Sequence, residues 1–149
     1  MANVTIKKFK YPDSLLKEYE SWVVLLRPAQ VTAGSMVLAC KQEATALSQL
    51  SAEVFAELAA VTADLEGALR KTFGFDKINY LCLMMVDKHV HFHVIPRYAS
   101  SRGIAGVEFH DTAWPGPADL SAVVDVSDAQ FNEILETLRA NWNQREDHT

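Results

Sequence analysis

The chain has little that would cross-link it, anchor it in a membrane or draw it to a polyanion. It carries only two cysteines, Cys40 and Cys82. Both sit in apolar stretches without CxxC spacing, so nothing supports a disulfide framework and a reduced, intracellular setting is the economical expectation. The opening residues Met1 to Lys10 hold no apolar run of signal length. Nothing later approaches the roughly 20 apolar residues of a membrane span, so the expected location is the cytoplasm, with no membrane contact. Positive charge is also scarce: 14 Lys and Arg against 19 Asp and Glu give a formal charge of -5. That excludes a broad basic surface for a nucleic-acid polymer and leaves room for a local pocket that takes a small anion. Repeats, low-complexity tracts and linker-like stretches are absent, and the expectation is one domain over residues 1–149.

With 49% hydrophobic residues the chain can bury a substantial core. Pro12-Asp13-Ser14 before Leu15 to Tyr19 suits a capped helical turn. Trp22 to Leu26 and Ser35 to Cys40 are β-prone runs joined by a loop that Pro28 and Gly34 punctuate. Ser51 is an N-cap, Gly74 a C-cap, and between them Val54, Phe55, Leu58, Thr62, Leu65, Leu69 and Phe73 recur at helical spacing. Lys77 to Met85 and His89 to Arg97 read as neighbouring strands linked by Val86-Asp87-Lys88, with Pro96 at the strand end. Residues 98–125 lose periodicity and gather Gly and Pro, with one short strand near Val107 to Phe109. Ser127 and Gln130 form a capping-box pattern ahead of a stripe of Phe131, Ile134, Leu135, Leu138 and Trp142, and a polar tail from Asn143 to Thr149 is expected to fray. Hairpin strands with helices added separately define an α+β domain: a mainly antiparallel sheet of about five strands, one long helix and a C-terminal helix.

The most informative segment is His89-Val90-His91-Phe92-His93-Val94-Ile95. Histidines at period two share one face of a strand, about 7 Å apart, while Val90, Phe92 and Val94 take the other. Imidazoles are expensive to bury without partners, so the histidine face is expected to be built for chemistry and not for a core. Such rings can serve as nucleophile, general acid or base, or metal ligands. Alternating histidines can bind zinc, but no Glu or Cys within the motif completes a familiar ligand set. The blandest alternative is a histidine-rich exposed strand.

The run His89 to Arg97 resembles the H-φ-H-φ-H-φ-φ signature of the histidine-triad (HIT) superfamily of nucleotidyl hydrolases and transferases. Gly34 to Lys41 is similar to that family's Gly-His-x-Leu-Val-x-Pro-Lys strand, so the likeness covers roughly residues 20–100 as a motif-bearing core, with residues 101–149 forming a C-terminal loop and helix. The resemblance implies that His91 attacks the α-phosphorus of a purine nucleotide and forms a covalent nucleotidyl-histidine. It implies that His93 contacts the phosphoryl oxygens and that the His89 segment holds His91 in its reactive tautomer. It also implies a homodimer joined sheet edge to sheet edge, with no cofactor and no metal needed for the phosphoryl chemistry.

The chain departs from the family pattern at three places. Ser35 stands where a histidine is usual, Arg27 where an Asn or Asp contacts the ribose, and Leu83 to Lys88 replaces a Gly-rich loop carrying Gln or Ser. Arg27, Ser35 and Arg97 are therefore the candidate nucleotide-binding residues, with Lys88 a further source of charge. Met84 and Met85 read as core or interface, Trp114 as a loop anchor or a cover for a bound base, and His110 and His148 carry no pattern. The missing donors motivate a second hypothesis, a protein that binds nucleotides without turning them over.

Overall fold

The computed structural model describes residues 2–142. After a short helix α1 (Val4–Lys8) come strands β1 (Leu15–Glu18), β2 (Trp22–Leu26) and β3 (Met36–Cys40), then the long helix α2 (Ala52–Phe73). Strands β4 (Lys77–Leu81) and β5 (His91–Arg97), the hairpin β6 (Arg102–Ile104) and β7 (Val107–Phe109), and helix α3 (Asp128–Ala140) complete the order. The main sheet runs β1-β2-β3-β5-β4, and every neighbouring pair is antiparallel. This is the α+β arrangement expected from the sequence.

Alternation along the strands sorts the sheet into two faces. Trp22, Val24 and Leu26, Met36, Leu38 and Cys40, and Val94 meet α2 and α3 in the larger core. On α2 the buried residues are Val54, Val61, Asp64, Leu65, Ala68, Leu69 and Phe73, whereas Phe55 is 41% exposed and leaves the expected stripe. The helix ends as its caps dictate. Ser51 accepts a hydrogen bond from Val54 N, and Gly74, at φ 62°, donates its N–H to Arg70 O. At α3 both bonds of the Ser127 and Gln130 capping box form. Gly34 adopts φ 84°, and a Cβ there would lie 2.7 Å from Leu69 Cδ2, so the β2–β3 turn can sit on α2 only because this residue lacks a side chain.

Two local expectations are corrected. Leu15 to Glu18 is a strand, not a helical turn: Leu16 enters the larger core while Leu15 packs with the cluster on the opposite face, which is strand alternation. Ser14 is no N-cap, because its hydroxyl donates backward to Phe9 O at 2.6 Å. The second correction concerns the strands before and within the histidine motif. Strand β4 stops at Leu81 and β5 begins at His91, so the connection is longer than Val86-Asp87-Lys88. The apolar run after Leu81 does not continue the sheet, since Met85 and Val86 are 82% and 89% exposed. The expected fraying tail from Asn143, with His148, lies outside the described residues. Among the described residues no helix is long and apolar enough to cross a membrane.

Candidate active site

The face opposite the long helices carries Val23, Leu25, Val37 and Ala39, with His93 paired to Val37 and His91 to Ala39. Helix α1 lies over it. Ile6 and Phe9 close a second, smaller apolar cluster with those strand residues. The expectation that the histidine face is no core is therefore corrected. His89, His91 and His93 are 3%, 1% and 7% exposed, and the Phe9 ring stands 5.9 Å from that of His91 and 5.8 Å from that of His93. Burial is tolerable because most of the ring nitrogens have partners.

His89 precedes the strand instead of lying in it. Its Nδ1 is 3.0 Å from Thr5 Oγ1 and its Nε2 is 2.8 Å from a Glu43 carboxylate oxygen. Both nitrogens are thus engaged within the fold. His91 Nδ1 lies 2.7 Å from the backbone oxygen of His89. A carbonyl can only accept, so Nδ1 carries a hydrogen, and in the neutral imidazole Nε2 keeps its lone pair. His93 Nδ1 is 3.4 Å from Arg27 Nε, a long contact with a group that can only donate, which leaves Nε2 of His93 as the N–H. The two rings meet edge to face, with centroids 5.1 Å apart. Neither Nε2 has a protein partner among the hydrogen bonds of the described residues. The pair therefore offers one lone pair and one donor, side by side in a buried setting.

Charge is arranged consistently with this. Burial first, then the Arg27 guanidinium, pushes the His93 pKa down to about 4 from 6.5, so this ring stays neutral at physiological pH. Burial also lowers the Arg27 pKa from its ordinary value. The Arg27 side chain donates through Nη1 to Ala29 O, and Nη2 has no protein partner among the described residues. Across the cover, Lys8 on α1 pairs with Asp87 in the segment before the triad at 2.7 Å.

The other candidates are placed differently. Ser35 is buried and organises the β2–β3 turn: its Oγ accepts from Thr32 N at 3.0 Å and donates to Thr32 O at 2.9 Å. Arg97 lies on the histidine face four residues beyond His93, and its guanidinium is enclosed by the fold. It donates to both Asp111 carboxylate oxygens, to Asn79 Oδ1 and to Gly116 O. Burial alone would raise the Asp111 carboxyl, but Arg97 and the Tyr98 N–H hold it below its ordinary value. This pair pins the loop containing Trp114 to the end of β5. Lys88 is exposed. Sequence reasoning missed Thr5, Phe9 and Glu43. Ile6 and Phe9 follow the N-cap Asn3 at helical spacing, a signal that could have found α1, but nothing local ties Thr5 or Glu43 to a motif some forty to eighty residues away. Among the described residues no group of three or more His, Cys, Asp or Glu side chains is placed to hold a metal ion.

An antiparallel five-stranded sheet with a histidine pair on its inner strand, beneath a short N-terminal helix, defines a histidine-triad type of domain. The profile of the HIT domain matches residues 8–100, and the chain belongs to that family. No curated protein compared with the chain matches it. Solved structures do. A histidine triad protein from Bradyrhizobium japonicum superposes with a TM-score of 0.72 at 16% identity, covering 96% of this chain and 98% of its own. One from Sinorhizobium meliloti gives 0.71 at 16% identity, covering 95% and 96%. One from Marinobacter aquaeolei gives 0.67 at 22% identity, covering 86% and 87%. At these identities the likeness is one of fold.

Proposed function

We propose that the protein is a nucleotidyl hydrolase or transferase acting at the α-phosphate of a purine nucleotide, with His91 as nucleophile. The observation that carries this reading is the pair of unpartnered ring nitrogens, a lone pair on His91 Nε2 beside an N–H on His93 Nε2. A buried polar group left without a partner costs about 1–3 kcal/mol, a cost that a bound phosphoryl group would offset. In the first step His91 Nε2 forms a bond to the α-phosphorus as the bond to the leaving group breaks and that group departs with the electron pair. His93 Nε2–H and the free Nη2 of Arg27 donate to the phosphoryl oxygens as negative charge develops there. Water or another acceptor then attacks phosphorus, loses its proton and releases His91 neutral.

Leu83 to Lys88 offers no Ser or Gln to protonate a leaving group, and the fold itself engages the hydroxyl of Ser35 and the guanidinium of Arg97. This favours substrates whose leaving group departs as a stable anion, such as adenylyl sulfate or a dinucleoside polyphosphate, over a phosphoramidate whose amine needs a proton. Because His91 is 1% exposed beneath Phe9, substrate entry requires that ring to withdraw. The same cover, with the missing donors, supports a second reading in which the domain binds nucleotide without turnover. A turnover panel of adenosine phosphoramidate, adenylyl sulfate and diadenosine polyphosphates, run beside equilibrium binding of AMP, separates the two. Turnover that disappears in His91→Ala supports the enzyme, and binding without turnover supports the sensor.

The homodimer belongs to the same reading. Strand β4 is a sheet edge, and Leu83, Met85 and Val86 are exposed just beyond it, which suits pairing with a second copy. Sedimentation of the purified protein tests this, and a monomer at micromolar concentration would oppose it.

A further inference from the structure

The first histidine of the motif is 3% exposed, and its ring partners come from elsewhere in the chain. Thr5, 3% exposed on α1, makes two contacts with it: the hydroxyl oxygen is 3.0 Å from His89 Nδ1 and accepts from His89 N at 3.3 Å. Glu43 takes the hydrogen of His89 Nε2, so in the neutral ring Nδ1 is the acceptor and Thr5 supplies its single O–H there. The helix carrying Thr5 is itself held by Asn3. Its side-chain amide donates to Cys40 O and Gln42 O, both at 3.0 Å, and its carbonyl oxygen accepts from Ile6 N. The next residue of the motif is fixed as well, since Val90 N donates to Ala44 O at 2.9 Å and its carbonyl accepts from Cys40 N at 3.0 Å. What this clamp holds still is the His89 carbonyl, and that carbonyl is the partner of His91 Nδ1 among the described residues.

We infer that Thr5 is a positioning residue: through His89 it fixes the carbonyl that selects the His91 tautomer with Nε2 free, so the N-terminal helix is part of the catalytic apparatus as well as its cover. The inference rests on the reading of His91 as nucleophile for its kinetic consequence, but not for its structural one. Partners that orient a metal-bound imidazole from behind change affinity or activity by about 10- to 100-fold when removed, and an effect at the lower end of that range is expected here. The hydroxyl, not the bulk of residue 5, should matter.

The test compares Thr5→Val, Thr5→Ser and the parent. It records histidine ring nitrogens by long-range nitrogen–proton correlation and, in parallel, turnover of adenylyl sulfate. Thr5→Val should replace the single-tautomer pattern of His91 by an averaged one and lower kcat about tenfold with KM changed less than twofold, while Thr5→Ser restores both. If Thr5→Val does not fold, Thr5→Ala removes the same hydroxyl without a second methyl against His89 and carries the comparison. A lower Tm with the His91 pattern and kcat both unchanged would mean that Thr5 only packs, and would overturn the inference. If the parent turns over no adenylyl sulfate, the functional reading suffers while the ring-nitrogen comparison still decides the role of Thr5.

Discussion

Both faces of the five-stranded sheet are buried, and they are buried by different means. On one, helices α2 and α3 lay leucines, valines and Phe73 against Trp22, Leu38 and Val94 in a large apolar cluster. On the other, α1 contributes only Ile6 and Phe9 to an apolar patch, and the remainder is closed by paired polar groups: Thr5 and Glu43 on His89, a backbone carbonyl on His91, Arg27 beside His93, Asp111 on Arg97. The first face gains from area removed from water, at roughly 25 cal/mol per Å². The second depends on pairing its polar atoms, and among the described residues it leaves three nitrogens of neighbouring side chains without a protein partner, Nε2 of His91, Nε2 of His93 and Nη2 of Arg27. A fold does not need that deficit, which is why it supports the proposed site.

Substitutions on the two faces should therefore separate chemistry from stability. His91→Ala removes the proposed nucleophile and should lower turnover by at least about 10³-fold with the circular dichroism spectrum and Tm close to the parent's. Comparable activity would place the chemistry elsewhere. Leu69→Ala on the helix face should do the converse, costing about 2–5 kcal/mol in denaturant unfolding while leaving kcat near parental wherever the variant is folded. Phe9→Ala straddles the comparison. It should cost about 3 kcal/mol and also speed modification of the triad by diethyl pyrocarbonate, whereas unchanged modification would show that Phe9 does not control access.

The histidine face also predicts a pH dependence that the helix face does not. His93 titrates near 4 when folded and near 6.5 in the unfolded chain, so between those values the unfolded state binds more protons and stability rises with pH. The contribution is complete above about 6.5 and is lost as pH falls toward 4, by up to about 3 kcal/mol. Unfolding midpoints across pH 4 to 7 test this, and Arg27→Ala should move the His93 titration upward by proton NMR. Stability that rises on acidification through this window would contradict the assignment. The smallest effect belongs to a helix end remote from the site: Ser127→Ala breaks the α3 capping box and should cost about 1 kcal/mol with no change in turnover.

The histidine repeat, the α2 caps Ser51 and Gly74, and the Ser127 and Gln130 box were legible because each acts within a few residues of itself. What was not legible is non-local. The pattern around Leu15 could not show that β2 would be its partner, and that pairing turns a candidate helical turn into a strand. Arg97 reads as a cation free to meet phosphate until Asp111, in a loop without periodicity, closes on it. Thr5 meets His89 across 84 residues of sequence, and only the fold brings them together. For the same reason, the motif alone could give roles to His91 and His93 but not show how their tautomers are set.

The central claim is that His91 becomes covalently nucleotidylated. Rapid mixing of the protein with adenylyl sulfate, quenching under alkaline conditions that preserve a phosphorus–nitrogen bond, and peptide mass spectrometry would test it directly. The expected result is an adenylyl group on the peptide containing His91, localised to that residue and absent from His91→Ala. Turnover with no adduct at any quench time, or an adduct on another residue, would contradict it.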